Sequence, residues 1–321
     1  MKTKQFFKLA VIIGVICPFL SFGQTKKEAV DAYNAGAQII KQNPSTALEN
    51  LLLSIKISEQ LGEEGEETKV LAEGLIPRTY LELAMKQYGE KKMNETLENL
   101  EKARETADKY GDKTTKQRVD GIVPKLYNQM GNNEYRANNF EKAIEYYNKA
   151  ISIKAESPEN FLGIALSYEK QDNFDKMLEY LKQTLEVANK ANDRTKADDA
   201  INKAKAYLSR KADEAVKANK RDEAVEFLNR WLEFDSNDAS VYRSLFINYS
   251  ELKDWDNAIA NGNIVIEKGA GSIDLNEIYF QLGVAYYGKG NTEEACSALG
   301  KVNGAFKARA EYEMKEVIKC N

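Results

Sequence analysis

The chain has 321 residues, of which 46 are Lys or Arg, 50 are Asp or Glu and none is His, so its formal net charge is −4. Without histidine the chain lacks the commonest general base and the commonest metal ligand, and without a basic excess nucleic acid is not expected as a partner. Only five prolines interrupt the chain and charged residues make up 30% of it, a composition typical of stacked helices.

The first 23 residues have the three parts of an export signal. Three lysines precede an apolar run from Leu9 to Leu20, and the small residues Ser21 and Gly23 precede Gln24. A charged start, a short apolar stretch and small residues before the cut are typical of a secretory signal peptide. We therefore expect residues 1–23 to be removed after Gly23, which leaves a periplasmic or secreted chain.

Two alternatives for this segment stay open. An uncleaved run would act as a signal anchor, although it is short for a bilayer that needs about 20 apolar residues. Lipidation at Cys17 would make the protein a lipoprotein, although the bulky Ile16 precedes it. After cleavage we expect no stable membrane span.

The middle of the chain repeats one pattern at an interval of 34 residues. The first copy has Phe140, Ala143, Tyr147 and Ala150, and the second has Phe174, Met177, Leu181 and Thr184. A later copy has Tyr279, Leu282, Gly283, Tyr286, Ala295 and Leu299. This pattern resembles the tetratricopeptide repeat (TPR), a 34-residue helix–turn–helix unit.

The resemblance implies an all-α fold, a right-handed superhelical solenoid of antiparallel helix pairs with about seven repeats and a C-terminal capping helix. After the signal peptide (1–23), residues 24–321 would form this solenoid. The repeats are expected at roughly 26–61, 66–109, 115–154, 158–189, 194–235, 239–268 and 275–303, and the cap helix at 306–319.

Two of these copies carry the same phrase, an acid, Gly, two aliphatic residues, Pro and a base. It occurs at residues 73–78 and again at 120–125, within predicted first helices that are longer than the family pattern. Because proline removes a backbone hydrogen bond, each helix would either bend at Pro77 and Pro124 or begin afresh there. The sequence leaves both alternatives open.

No motif in the chain indicates catalysis. There is no phosphate-binding glycine loop, and the acidic stretch from Asp235 to Asp238 lacks the glycine and closing glutamate of a calcium loop, so we interpret it as a turn. We therefore predict no enzyme, no cofactor and no metal site.

Cys296 and Cys320 would survive export, and an even cysteine count in an oxidising compartment favours a disulfide. A straight cap helix would carry Cys320 about 12 Å beyond the residue opposite Cys296, whereas bridged Cα atoms lie within about 7 Å. The bond would therefore require the chain end to fold back, and both outcomes stay open.

The resemblance also implies a partner-binding groove lined by the first helix of each pair. Residues one and five after the leading aromatic residue of a repeat would face it. The candidates are Asn128, Asn132, Tyr135, Arg136, Leu162, Leu166, Lys170, Phe280, Val284 and Tyr287. For each aromatic member, packing between adjacent first helices is the favoured explanation. Asn128 and Asn132, four residues apart on one helix face, are the better candidates for recognition.

These observations favour an exported, non-enzymatic scaffold that binds a protein or peptide in its groove and assembles an envelope complex. The alternative is a carbohydrate-binding accessory protein of the envelope that uses tyrosines to stack on sugars. The sequence does not indicate the oligomeric state.

N-terminal sequencing of the exported protein tests the signal peptide. We expect the first residue to be Gln24, because the small residues that precede it form the cleavage site. Recovery of an intact Met1 in the membrane fraction would instead identify an anchor.

Overall fold

The computed structural model describes residues 25–269 and 273–320, so the segment expected to be a signal peptide lies outside the described residues. Within the described ranges the chain is all-α and contains no strand. The chain divides into two compact units on either side of the bond between Val123 and Pro124.

In the first unit, four helices form two consecutive pairs. They are α1 (Lys26–Ile39), α2 (Pro44–Leu61), α3 (Glu66–Gly89) and α4 (Met93–Tyr110). The longer helix α5 (Lys113–Arg136) begins in this unit and ends in the second.

In the second unit, helix pairs follow one another in the same way. The helices are α6 (Phe140–Ile153), α7 (Pro158–Lys170), α8 (Phe174–Ala191), α9 (Arg194–Lys217), α10 (Arg221–Leu232), α11 (Ala239–Glu251), α12 (Trp255–Lys268), α13 (Leu275–Lys289), α14 (Thr292–Leu299) and α15 (Lys307–Tyr312). A π-helical turn, Glu313–Ile318, follows α15.

Local sequence explains where these helices begin and end. Thr25 and Glu28 form a capping box at the start of α1, which satisfies two backbone N–H groups that the first turn leaves free. Asn192 ends α8 with a left-handed backbone, and Gly290 does the same for α13. Asn and Gly are the residues that adopt this conformation most readily, so the chain can turn within two or three residues.

Helices α3 and α5 run without interruption through their prolines. Pro77 lies inside α3 and Pro124 inside α5. The alternative in which a new helix begins at each proline is therefore wrong. Pro77 has no N–H to donate to the preceding turn. Two residues later, the Thr79 hydroxyl donates to the Leu75 carbonyl oxygen at 2.8 Å.

In the second unit, the buried ring of Tyr147 lies between two glycines. A Cβ added at Gly131 of α5 would lie 2.7 Å from this ring, and one added at Gly163 of α7 would lie 2.5 Å from it. Since Tyr147 belongs to α6, three consecutive helices meet at one side chain. The absence of two side chains is what lets these helices approach so closely.

The chain end folds back onto the last repeat and closes a disulfide. Cys296 of α14 and Cys320 are bonded, with their Cα atoms 5.8 Å apart. The wider π-helical turn, followed by left-handed Lys319, directs Cys320 toward α14, and the Cys320 N–H donates to the Met314 carbonyl oxygen. A straight cap helix would not have brought the two sulfur atoms together.

Two glycines of the first unit provide a matched test of close packing. A Cβ at Gly36 would lie 2.8 Å from Leu51 and 3.0 Å from a backbone oxygen, whereas a Cβ at Gly74 has nothing within 4 Å. Alanine at Gly74 should stabilise the unit by about 0.5–1 kcal/mol through helix propensity. The Gly36→Ala variant should be about 1–3 kcal/mol less stable than the Gly74→Ala variant, because the added methyl group overpacks the contact between α1 and α2.

Chemical denaturation of the two variants measures this difference, and each substitution adds the same methyl group to a helix. Equal stability of the two variants would show that α1 and α2 do not approach as closely as described.

Candidate functional site

The asparagines predicted to recognise a partner form a hydrogen-bonded ladder within the protein. The Tyr147 hydroxyl donates to Asn132 Oδ1 at 2.9 Å, Asn132 Nδ2 donates to Asn128 Oδ1 at 3.0 Å, and Asn128 Nδ2 donates to Asn160 Oδ1 at 2.7 Å. The ladder runs from α6 across α5 to α7. It therefore fastens together the same three helices that meet at the Tyr147 ring.

This ladder changes what a substitution at these asparagines would do. Asn160 is 2% exposed, so loss of Asn128 would leave a buried carbonyl oxygen without this donor, which costs about 1–3 kcal/mol. The expectation that both amides are free for a partner is not met. Their role in recognition stays a prediction, and any partner would have to compete with an internal bond.

Four other candidates lie near this ladder or on the next first helix. Tyr135 is half-buried and packs edge-on against Phe140, with ring centroids 5.7 Å apart. Arg136 and Lys170 are exposed, and Leu166 is half-buried. None of these placements decides between packing and recognition.

Two candidates expected on the groove surface are buried. Leu162 is 8% exposed and packs into the core that α7, α8 and α9 share, and Phe280 is 4% exposed and packs against Phe306. Neighbouring elements therefore cover most of both side chains, and their role in partner binding stays a prediction. Val284 and Tyr287 on α13 are exposed, at 41% and 43%.

The second unit contains a cleft formed by the first helices of its last three pairs. One cavity of about 330 Å³ lies between α9 and α11, and a second of about 300 Å³ lies between α11, α13 and the cap. Ile247 of α11 lines both, so the two cavities adjoin at this side chain. We call this pair of cavities the α9–α13 cleft.

Large apolar side chains form part of the cleft walls, beside polar ones. Trp231, Val216 and Val241 line the first cavity, and Trp255, Phe280, Val284 and Phe306 line the second. The ring of Trp255 lies directly against Gly288 of α13, where a Cβ would approach it to 2.6 Å. A glycine therefore allows a large aromatic residue to form the cavity wall.

Two arginines line the α9–α13 cleft, and a neutral group holds each of them in position. Arg221 Nη1 donates to Asn248 Oδ1 at 3.0 Å, and Asn248 Nδ2 donates to the Ser244 carbonyl oxygen at 2.8 Å. The Arg309 guanidinium lies 4.7 Å from the centroid of the Phe280 ring. Two carboxylates, Asp213 and Glu251, also line the cleft and are exposed.

Sequence reasoning missed Ile247, Asn248 and Arg221. Ile247 stands five residues after Tyr242, which is the position of Asn132 relative to Tyr127, so the same spacing applied to the sixth repeat would have found it. Arg221 lies at the start of a second helix, α10, and no groove rule based on first helices could have found it.

Within the described ranges, no three His, Cys, Asp or Glu side chains are grouped as metal ligands. No described helix is both long and apolar enough to span a bilayer.

The architecture is that of an all-helical repeat protein built from helix pairs. Models of the tetratricopeptide repeat family match residues 124–156, which span the second half of α5 and all of α6, and residues 277–306, which span most of α13 and all of α14. The chain therefore contains tetratricopeptide repeats at these two places. No curated protein matches its sequence.

Three solved structures illustrate what the fold is similar to. YrrB, a TPR protein with an unusual peptide-binding site, is 19% identical, with a TM-score of 0.30 and coverage of 59% of this chain and 91% of that one. MamA is 21% identical, with a TM-score of 0.29 and coverage of 61% and 97%. The TPR2AB domain of yeast Sti1, in complex with pHSP90, is 19% identical, with a TM-score of 0.28 and coverage of 77% and 96%.

Tyr147 makes the second unit sensitive to high pH. Burial raises the pKa of its hydroxyl from 10.0 to about 12. The unfolded chain then loses this proton at a lower pH than the folded chain. The stabilising contribution is complete below pH 10 and is lost as the pH rises from about 10 to about 12, with a loss on the order of 1 kcal/mol at pH 11.

Denaturant unfolding of the wild type and of Tyr147→Phe, at pH 8 and pH 11, isolates this residue from the other tyrosines. The wild type should lose more stability than the variant between the two pH values, by an amount on the order of 1 kcal/mol. Equal losses would mean that the Tyr147 hydroxyl titrates in the folded protein as it does in water.

Proposed function

We propose that the second unit binds an extended segment of a partner protein in the α9–α13 cleft. The observation that supports this most directly is that two cavities of about 300 and 330 Å³ share Ile247 as a wall, so they adjoin across three successive first helices. Each cavity has room for one large side chain of a bound segment, and both are lined by apolar and polar residues. The protein would act as a non-enzymatic scaffold.

The energetics of the cleft fit a peptide. Complete burial of one large apolar side chain contributes about 1.5–3 kcal/mol, so two occupied cavities would contribute about 3–6 kcal/mol before the cost of ordering the segment. That range corresponds to weak or moderate affinity. A scaffold that assembles and releases its partners needs affinity of this order.

Export to the cell envelope is the second part of the proposal. The N-terminal pattern of charged, apolar and small residues supports it, and so does the Cys296–Cys320 bond, because disulfides persist in oxidising compartments and are rare in the cytosol. In that location the partner would be a protein of an envelope complex.

Two lysine substitutions test the cleft. Ile247→Lys places a charge where the two cavities adjoin, and Ile153→Lys makes the same change on α6 at a residue that is 40% exposed and outside the cleft. Peptides are selected on the full chain from a random dodecapeptide library. They should bind Ile247→Lys at least about tenfold more weakly than the wild type, because the peptide side chain that enters the cleft loses its apolar contact with Ile247. Ile153→Lys should bind them like the wild type.

Fluorescence polarisation with labelled peptides measures the affinities, and a thermal melt checks the fold of each variant. Val284→Lys offers a second route into the cleft at an exposed residue that is less able to disturb folding. Selected peptides that bind all three variants equally would place the binding surface elsewhere.

A further inference from the structure

Arg221 has an unusual setting for an arginine at the edge of an apolar cavity. It is the first residue of α10, and its guanidinium is fixed by the side-chain oxygen of Asn248. Asn248 is 4% exposed and is itself held by the Ser244 carbonyl oxygen. A buried amide with both ends bonded therefore sets the direction of the arginine side chain.

The groups that hold Arg221 leave its charge uncompensated. Over residues 25–269 and 273–320, no carboxylate forms an ion pair with Arg221, and its bonded partner, an amide, is neutral. A guanidinium has five N–H donors in a planar fork that matches a carboxylate. The donors that Asn248 does not take are available at the wall of the cavity that Arg221 lines.

The two acids of the cleft do not fill this role. Asp213 and Glu251 are exposed and, in the described part of the chain, form no ion pair, so they stay hydrated and free to turn toward water. Arg221, in contrast, is half-buried and fixed. A fixed donor loses little entropy on binding, which favours a partner that brings its own carboxylate.

The second cavity sets where the apolar part of such a partner would lie. The Arg221 cavity is between α9 and α11, and the cavity of Trp255 and Phe306 is one helix further on. Neighbouring helices are about 8–10 Å apart. A segment in the extended polyproline II conformation advances about 3.1 Å per residue and has three residues per turn, so residues three apart lie on the same face. Side chains that enter the two cavities would therefore be about three residues apart.

We propose that the α9–α13 cleft recognises an extended peptide segment that presents an acidic side chain to Arg221 and, three residues away, a large apolar side chain to the cavity of Trp255 and Phe306. This inference rests on the proposed function, since it names the chemistry of the segment that the cleft binds. Arg221 and Asn248 then act as a specificity-determining pair, with Asn248 as the positioning residue.

Matched synthetic peptides test the acidic preference on the full chain. Fluorescein-labelled peptides contain Glu and Phe three residues apart in Gly-Ser sequence, in both orders, and their twins replace Glu with Gln. The better Glu peptide should bind about 10- to 100-fold more tightly than its Gln twin, because a charge-assisted bond to arginine replaces a neutral one. Moving Phe one residue closer should weaken binding.

Three variants assign that preference to one residue. Arg221→Met should bind the Glu and Gln peptides equally, and Asn248→Asp should do so as well, because the new carboxylate neutralises Arg221 from the Asn248 position. Arg194→Met is the control, since Arg194 is also the first residue of its helix and is exposed outside the cleft. It should keep the preference for Glu.

The outcomes separate this inference from the function on which it rests. Equal affinity of Glu and Gln peptides for the wild type, or a Glu preference that persists in Arg221→Met, would overturn the acidic recognition. If library peptides of other composition still lose binding in Ile247→Lys, the cleft is a binding site with different chemistry. If no library peptide depends on Ile247, the proposed function itself fails.

Discussion

At several places in the described part of the chain, a glycine of one helix lies directly under a large side chain of the next. Leu299 lies over Gly283, where a Cβ would approach it to 2.5 Å, and Leu51 lies over Gly36 in the same way. Native interiors are packed nearly as densely as crystals, so a contact of this kind tolerates no additional methyl group without movement. The glycines therefore set the spacing between helices, and that spacing decides which residues reach a surface and which are covered.

The same constraint explains how much of the fold could be predicted. The repeat period and the recurring small residues predicted an all-α helical repeat, because both are visible along a single sequence without knowledge of which residues pack together. The course of α3 and α5 through Pro77 and Pro124 could not be predicted, since it depends on what packs around each proline. The fold-back at Cys320 depends on a π-helical turn, which has no clear sequence signature.

The candidate site was harder to predict than the fold. A spacing rule for first helices selected Val284, which is exposed and lines the cleft, but could not show that Phe306 of the cap packs against Phe280. It also could not show that the amides of Asn128 and Asn132 bond to each other, because Asn160, the end of that ladder, is 32 residues away from Asn128. Burial and hydrogen bonding are properties of pairs of residues, and a single sequence specifies such pairs only weakly.

The position of Tyr147 has a consequence for how the second unit unfolds. Repeat proteins of this kind are stabilised mainly between neighbours, and in principle each repeat can open by itself. Here one ring touches Gly131 in one repeat and Gly163 in the next, and its hydroxyl begins the ladder that ends at Asn160. Displacement of α7 would expose that ring and break that ladder in a single step. The third and fourth repeats are therefore joined into one cooperative folding unit, whose amide protons should exchange with solvent together.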